Sequence, residues 1–232
     1  MGVVTGPDKG KSVQIELGES NKERVLIGLR WNANELSKSD KVGQTLSGIK
    51  DVLTGPIMMI RANIARLHEK YDDYETREED DPNYDLDLAC FAFDKSGQLH
   101  IVVDQDAWNA IDDSGKVYHT GDHETGESSH DDEQIFIELK GLSEEVSSFF
   151  FIVTSDCAHT LGNVDTPEIR FAESKTEKDF LRVRIDQLPE NDRYAYVFCK
   201  FYRDSQNNWH VQNISEFASF EENWPEYLKQ YL

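Results

Sequence analysis

Short apolar stretches rich in β-branched and aromatic residues alternate with turn signals along most of the chain. We count about ten such stretches. They are SVQIEL from residue 12, RVLIGLRW from 24, DLDLACFAF from 85, QLHIVV from 98, QIFIEL from 134, SSFFFIVT from 147, EIRFAE from 168, FLRVRI from 180, YAYVFCKFY from 194 and WHVQNI from 209. The turn sequences DKSG, DDSG and RDSQNN separate some of them. This pattern predicts an all-β protein with an antiparallel β-sandwich fold, in which strands such as FLRVRI have one solvent-facing side.

Two segments depart from the β pattern and predict helices. Residues 43–70 contain helix formers and a Gly-Pro step that ends one helix and begins another. Their apolar residues recur every three or four positions, at Ile57, Ile60, Ile64 and Leu67. At the C-terminus, SEFASFEENWPEYLKQYL predicts a short helix around Pro225. We therefore predict one β-sandwich domain over residues 1–232, with a helical and acidic insertion over residues 33–82.

Length and composition are those of a folded chain. The 232 residues are 38% hydrophobic, which is enough for a sizeable core. No apolar run approaches the roughly 20 residues of a membrane-spanning helix, and the N-terminus lacks the apolar core of a secretory signal. These features predict a cytoplasmic protein without direct membrane insertion. Cys90, Cys157 and Cys199 lie singly in apolar segments, so we expect reduced, buried thiols.

The negative charge is concentrated in one part of the chain. The formal net charge is −21, and residues 71–133 hold 20 of the 45 acidic residues but only three basic ones. Such a region repels phosphate backbones and anionic lipids and attracts cations or basic protein surfaces. We therefore expect no nucleic-acid partner.

Several apparent motifs fail on inspection. GPDKGKS at residues 6–12 resembles a phosphate-binding loop, but it has three residues between its glycines where that motif needs four. No GxSxG or HExxH sequence occurs. His119, His123 and His130 match no zinc spacing, so we interpret them as surface histidines.

The aspartates of YDLDLACFAF indicate a more specific chemistry. In a strand, Asp85 and Asp87 lie on the same face with Cα atoms about 6.6 Å apart. Like charges at this spacing raise each other's pKa unless a cation or a hydrogen-bond donor compensates them. Calcium suits such a place because it accepts six to eight oxygen ligands in flexible geometry. The EF-hand pattern fails at Ala89 and Cys90, so a calcium site here must be assembled from separate loops.

Several ordered motifs together resemble one family. YDLDLACFAFDKSG, SGKVYHTGDHETGESSHDDEQIFIEL and SSFFFIVTSD are similar to segments of the TerD family of tellurium-resistance and stress-response proteins, and VLIGLRWN is similar to its early Gly-x-x-Trp segment. The resemblance extends through TPEIRFAES and AYVFCKFYRDSQNNWHV. It implies a TerD-like β-sandwich that binds calcium through acidic loops, has no known catalytic activity, and supports tolerance of tellurite and other stresses with other proteins of a resistance system.

The resemblance also implies specific calcium ligands. The family's Asp-x-Asp pair falls on Asp85 and Asp87, and its Gly-Asp loop falls on Asp122. Its acidic cluster falls on Glu127, Asp131, Asp132 and Glu133. The chain departs from the family at Asn32, where the family has Asp, and at residues 128–130, where the family has a Gly-Asp-Gly stretch. Because these departures remove charge, we expect one calcium position to be weaker than the other.

Two other functions remain open at this point. A calcium-dependent membrane-docking module of the C2 type needs basic or large apolar residues at its loop tips, and HETGESSH offers neither. A metal-dependent hydrolase would use Asp85, Asp87 and Asp122 around an activated water and would need an open coordination position. We favour the calcium-binding stress-response protein without enzymatic activity, which acts as a binding or assembly module through its acidic loops.

Overall fold

The computed structural model describes residues 4–17, 23–33, 84–123, 126, 130–155, 159–219 and 222–232. Within these ranges the secondary structure is almost entirely β. The strands are β1 Val4–Thr5, β2 Ser12–Gln14, β3 Arg24–Arg30, β4 Leu86–Phe93, β5 Leu99–Val103, β6 Val117–His119, β7 Glu133–Glu138, β8 Ser148–Ser155, β9 Glu168–Glu173, β10 Asp179–Arg184, β11 Ala195–Arg203 and β12 Trp209–Ala218. The helix α1 spans Trp224–Tyr227, and short 3-10 helices span Ile185–Gln187 and Leu228–Tyr231.

The strands form two six-stranded antiparallel sheets. The first has the order β1-β10-β9-β3-β7-β6, and the second has the order β2-β12-β11-β8-β4-β5. Strand β3 pairs with β7 on one side and β9 on the other, so the N-terminal part of the chain is central to the first sheet. The predicted antiparallel β-sandwich is confirmed.

The main hydrophobic core lies between the two sheets. Its members are inward-facing side chains that alternate with outward-facing ones, as in β7, where Ile135 and Ile137 are buried and Phe136 is half-buried. Strand β4 contributes Leu88 and Cys90 to this core. Ala89 and Phe91, on the opposite face of the strand, pack instead in a second cluster.

The second cluster holds the C-terminal helix against the sandwich. Trp224 and Leu228 are buried beside Phe91 and Phe150. Pro225 occupies the first turn of α1, where its missing N–H costs no hydrogen bond. The predicted C-terminal helix is thereby confirmed, with packing as its evident role.

Three hairpin turns share one construction. In each, an aspartate at the start of the turn accepts backbone N–H groups from the residues two and four positions later. The residue three positions later has a positive φ, which favours glycine or asparagine. The aspartates are Asp94, Asp112 and Asp204, and the positive-φ residues are Gly97, Gly115 and Asn207. The turns predicted at DKSG, DDSG and RDSQNN are confirmed.

Two of the three cysteines are described, and both are free and buried. Burial raises the pKa of Cys90 and of Cys199 well above its ordinary value, so both thiols stay protonated. The expectation of reduced, buried thiols is confirmed for these two. Cys157 lies outside the described residues, as do the helical insertion predicted at 43–70 and, apart from Ala33, the insertion predicted over 33–82.

Candidate metal centre

Three aspartates from separate parts of the chain converge at one end of the sandwich. Asp85 precedes β4, Asp87 lies within β4, and Asp122 follows β6. Each offers one carboxylate oxygen, and these oxygens all lie within 4.8 Å of one another. Asp87 is buried, Asp85 is half-buried and Asp122 is exposed, so the group opens to solvent on one side. A cation can therefore reach it from outside.

The alternation of β4 explains why Asp85 and Asp87 point the same way. Leu86 and Leu88 pack in the core between the sheets. Ala89 packs in the second cluster, on the opposite face of the strand. The two aspartates share the parity of Ala89, as expected from the sequence, while Asp122 reaches them from the other sheet.

Glu133 lies beneath the three aspartates. Its side chain is fully buried, and its carboxylate accepts the N–H of Leu88 at 2.8 Å and the N–H of His123 at 3.4 Å. Burial raises the pKa of Glu133 well above its ordinary value, and the negative charges of Asp122 and Asp85 raise it further. Burial and neighbouring negative charges both favour neutralisation of a carboxylate, either by a proton or by a bound cation.

His119 is buried with Glu133, so its interpretation as a surface residue is wrong. Its Nδ1 accepts the N–H of Gly121 at 3.0 Å, which leaves the proton of the neutral ring on Nε2. Nε2 lies 3.3 Å from a Glu133 carboxylate oxygen. Burial lowers the pKa of His119 to about 4, so the ring is neutral at neutral pH. Of the other two histidines, His123 is half-buried and His130 is exposed.

Asp132 and Trp31 form the scaffold of this end of the sandwich. One Asp132 oxygen accepts the Trp31 backbone N–H at 3.0 Å, and the Trp31 indole N–H donates to the Tyr84 carbonyl at 2.9 Å. Trp31 therefore links the end of β3 to the segment that carries Asp85. A Cβ at Gly126 would lie 2.4 Å from the Trp31 ring, and the φ of Gly126 is +61°, so this position requires glycine.

Asp131 is not part of the group of three aspartates. Its carboxylate pairs with the Arg170 guanidinium, with the two closest contacts at 2.7 and 3.0 Å. It lies over Gly28, where an added Cβ would come within 2.2 Å of an Asp131 oxygen. Sequence reasoning missed Arg170. The available signal was the glycine inside the apolar strand VLIGLR, which indicates close approach of another group.

The TerD domain family matches residues 62–229. The chain belongs to the TerD family. It is 27% identical over 148 residues to tellurium resistance protein TerD of Serratia marcescens, which covers 62% of this chain and 76% of that protein. It is 24% identical over 242 residues to tellurium resistance protein TerX of Serratia marcescens, covering 97% of each.

A solved structure shows the same fold. A homologue of telluride resistance protein TerD from Streptomyces coelicolor A3(2) superposes with a TM-score of 0.57 at 14% identity, covering 86% of this chain and 92% of that one. The β-sandwich of the TerD family thus extends to sequences as different as these two. Among the residues described for this TerD family member, no helix is long and apolar enough to cross a membrane.

Asn32 and Glu127 are the two remaining residues that the TerD resemblance predicts as ligands. The Asn32 side chain is exposed and donates to an Asp165 carboxylate oxygen at 3.1 Å. Glu127 lies outside the described residues. Of the predicted ligands, the structure brings together Asp85, Asp87 and Asp122. Glu133 lies beside them and accepts the Leu88 N–H. Asp132 instead accepts the Trp31 N–H, and Asp131 pairs with Arg170. The assignment of these residues as calcium ligands stays a prediction.

Proposed function

We propose that this TerD family chain is a calcium-binding stress-response protein that acts as a binding module rather than as an enzyme. The observation that supports it is the convergence of Asp85, Asp87 and Asp122, with carboxylate oxygens within 4.8 Å of one another. Glu133 is a further carboxylate beside this group and accepts hydrogen bonds from Leu88 and His123, which directly follow Asp87 and Asp122 in the sequence. The ion would be held by these side chains together with backbone carbonyls and water.

Electrostatics favour a bound cation at this place. Two full charges at this separation repel by about 3 kcal/mol at an effective dielectric constant of about 20, and three aspartates make three such pairs. No Lys or Arg occurs between residues 117 and 133 to offset them. A divalent cation converts this repulsion into attraction for every carboxylate at once.

The donor set favours calcium over other cations. All donors are oxygens, which suit hard cations and disfavour zinc or copper. Calcium–oxygen distances of about 2.3 to 2.6 Å place oxygens on opposite sides of the ion about 5 Å apart, which accommodates the observed spacing. Magnesium requires shorter distances and near-octahedral geometry, so it fits less well.

The cellular role that we infer is resistance to tellurite or to chemical stress. Relatives of this chain are named tellurium resistance proteins, and another, 28% identical over 110 residues, is named stress response protein SCP2 in Bacillus subtilis. A strain that lacks the chain should lose tellurite tolerance, and the wild-type chain should restore it. An Asp87→Asn variant at equal abundance should restore tellurite tolerance less than the wild type does. That result would show that tolerance depends on the proposed calcium site.

Calorimetric titration of metal-free protein with calcium tests the proposed site. We expect binding by the wild type, weakened by at least tenfold in Asp87→Asn, since one ligand charge is lost while the shape is kept. Asp192→Asn is the matched control, because its side chain is 84% exposed and outside the group. Equal affinities for the three proteins, or no heat of binding, would reject the proposed site.

A phosphoester hydrolysis assay with calcium, magnesium or chelator tests the non-enzymatic part of the proposal. We expect no metal-dependent turnover above that of the free metal ion. Turnover that Asp87→Asn abolishes would instead support the hydrolase considered above.

A further inference from the structure

The loop that joins β5 to β6 presents the two most exposed large apolar side chains in the described part of the chain. Trp108 is 66% exposed and Ile111 is 60% exposed. The other described tryptophans, Trp31, Trp209 and Trp224, are buried or half-buried. We call residues 104–113 the Trp108 loop. A large aromatic side chain left in water at this position has no role in the core.

The Trp108 loop is held in place by its own aspartates. Asp104 accepts the Asp106 N–H at 2.9 Å and the Asn109 side-chain amide at 3.2 Å. Asp106 accepts the Trp108 N–H at 3.0 Å. The Ala110 carbonyl accepts the His119 N–H at 2.7 Å, which anchors the loop on β6. Because the backbone of the loop is fixed, a partner that covers Trp108 has only the side chain to order, which limits the loss of conformational entropy.

The loop is also acidic throughout. It contains Asp104, Asp106, Asp112 and Asp113 and no Lys or Arg. The next basic residue, Lys116, is paired with Glu138 at 3.3 Å. We propose that the Trp108 loop is a docking surface for a Lys- or Arg-rich segment of a partner protein that also carries apolar side chains. Trp108 and Ile111 contact the apolar side chains, and the half-buried Asp106 and Asp112 and the exposed Asp113 attract the positive charges, while Asp104 is buried and holds the loop.

Charge complementarity distinguishes this partner from two other occupants. A second copy carries a net charge of −21 and meets the loop with repulsion. An anionic membrane is repelled by the four loop aspartates in the same way, and a calcium ion bound by Asp85, Asp87 and Asp122 leaves those four charges in place. A basic segment gains both from Coulomb attraction and from cation–π contact with the Trp108 indole.

The surface shares no residue with the group of Asp85, Asp87 and Asp122, so the proposal does not depend on calcium binding. We expect a basic segment to bind in chelator, with an affinity that falls as ionic strength rises. Where calcium binds, it should weaken docking modestly, because it reduces the local negative potential.

The experiment uses the full-length chain and a synthetic peptide of alternating Lys and Leu, titrated by calorimetry in chelator. Acrylamide quenching of tryptophan fluorescence is measured in parallel, because Trp108 is the most exposed tryptophan described. We expect peptide binding that protects the fluorescence from acrylamide. We also expect Trp108→Ala to weaken binding by about tenfold or more, and Ile111→Ala and Asp113→Asn by a few-fold each. Val13→Ala is the control, since Val13 is 40% exposed on β2 and should leave binding unchanged.

Four results would overturn the proposal. The first is equal affinity in Trp108→Ala and Val13→Ala, and the second is equal binding of a matched Glu-Leu peptide. The third is cosedimentation with phosphatidylcholine or phosphatidylserine vesicles, with or without calcium, when the peptide does not bind. The fourth is protection of Trp108 from acrylamide in the free protein, whether constant or rising with protein concentration, because the chain or a second copy would then already cover the loop.

Discussion

Asp131 and Glu133 are two residues apart in the sequence, yet their carboxylates lie in contrasting electrostatic environments. Asp131 is paired with Arg170, which also lies 3.6 Å from Asp179 and 3.5 Å from Glu177. Glu133 lies next to a histidine that is neutral at neutral pH and near Asp85 and Asp122. Asp131 is thus neutralised by an arginine of the same protein, whereas burial and the neighbouring aspartates favour the neutral form of Glu133. Acidic composition alone therefore does not reveal which carboxylates are available to a ligand.

The largest expected effect is that of removing Arg170, the ion-pair partner of Asp131. Arg170→Leu leaves Asp131 unpaired at a side-chain exposure of 5%. We expect a loss of roughly 3 kcal/mol in the free energy of unfolding, and a melting midpoint lower by about 6 to 12 °C, because an unpaired buried charge costs more than the pair contributes. Urea unfolding at neutral pH measures it. The double variant Arg170→Gln with Asp131→Asn should recover much of the loss, and no recovery would show that Arg170 acts through packing instead.

The group formed by Asp85, Asp87 and Asp122 should respond to calcium. A single site at a hundredfold excess of calcium over its dissociation constant adds about 2.7 kcal/mol, which corresponds to a rise of about 5 to 11 °C in the melting midpoint. Magnesium at matched ionic strength should do much less. In chelator, Asp87→Asn should melt slightly higher than the wild type, because it relieves repulsion, and it should lose most of the calcium increment. If calcium and magnesium raise the melting midpoint equally, the stabilisation comes from general charge screening rather than from a calcium site.

In the hairpin turns, hydrogen-bond donors rather than cations stabilise the charged aspartates. We expect a smaller effect on stability there, and one that depends on pH. The hydrogen bond from the Ser96 side chain lowers the pKa of Asp94 to about 2, and the Asn208 N–H does the same for Asp204, from an ordinary value of 3.8. Because the folded pKa lies below the unfolded one, this stability is present above about pH 4 and is lost as pH falls toward 2. The double variant Asp94→Asn with Asp204→Asn should therefore show a flatter urea midpoint between pH 4 and 2. Asp192→Asn serves as the exposed control, and an equal slope in all proteins would contradict the expectation.

The smallest expected effect is at Asn32. Its amide donates to Asp165 at an exposed position, so Asn32→Asp replaces one hydrogen bond by a pair of like charges. We expect a loss of no more than about 0.5 kcal/mol in chelator, because solvent screens exposed charges. Calcium titration of the same variant tests the family resemblance at this position. Stronger binding at a weaker second position would assign Asn32 to the ligand set, and unchanged binding would remove it.

The fold was accessible from the sequence because it depends on local signals. Alternation predicted strands such as β7 and β10, and aspartate, serine and glycine predicted the turns. The two-residue strand β1 was not predicted, because so short a segment has no periodicity. Strand β6 was missed for another reason, since Val117–His119 opens the acidic run and is paired only because β7 lies beside it.

The site was accessible only in part because it depends on contacts between distant residues. The spacing of Asp85 and Asp87 fixes their common face. Nothing in the spacing indicates that Asp122 reaches them, and that expectation came from family resemblance. The burial of His119 and the pairing of Asp131 with Arg170 both depend on how β6, β7, β3 and β9 are ordered in the sheet. Such an order is a property of the whole fold rather than of any window of sequence.

Strand β8 has a consequence for synthesis of the chain. Its phenylalanines fill both hydrophobic clusters, with Phe149 and Phe151 between the sheets and Phe150 under the C-terminal helix. In the folded protein β4 and β11 cover both edges of the strand, so it is hidden on all sides. Strand β11 and the helix are translated only after β8, so a nascent chain that ends between them exposes SSFFFIVT, an uncharged β-forming segment with the composition of an aggregation-prone sequence. Truncation before residue 195 should therefore yield insoluble material, and production of this chain depends on completing its last strands quickly or under chaperone protection.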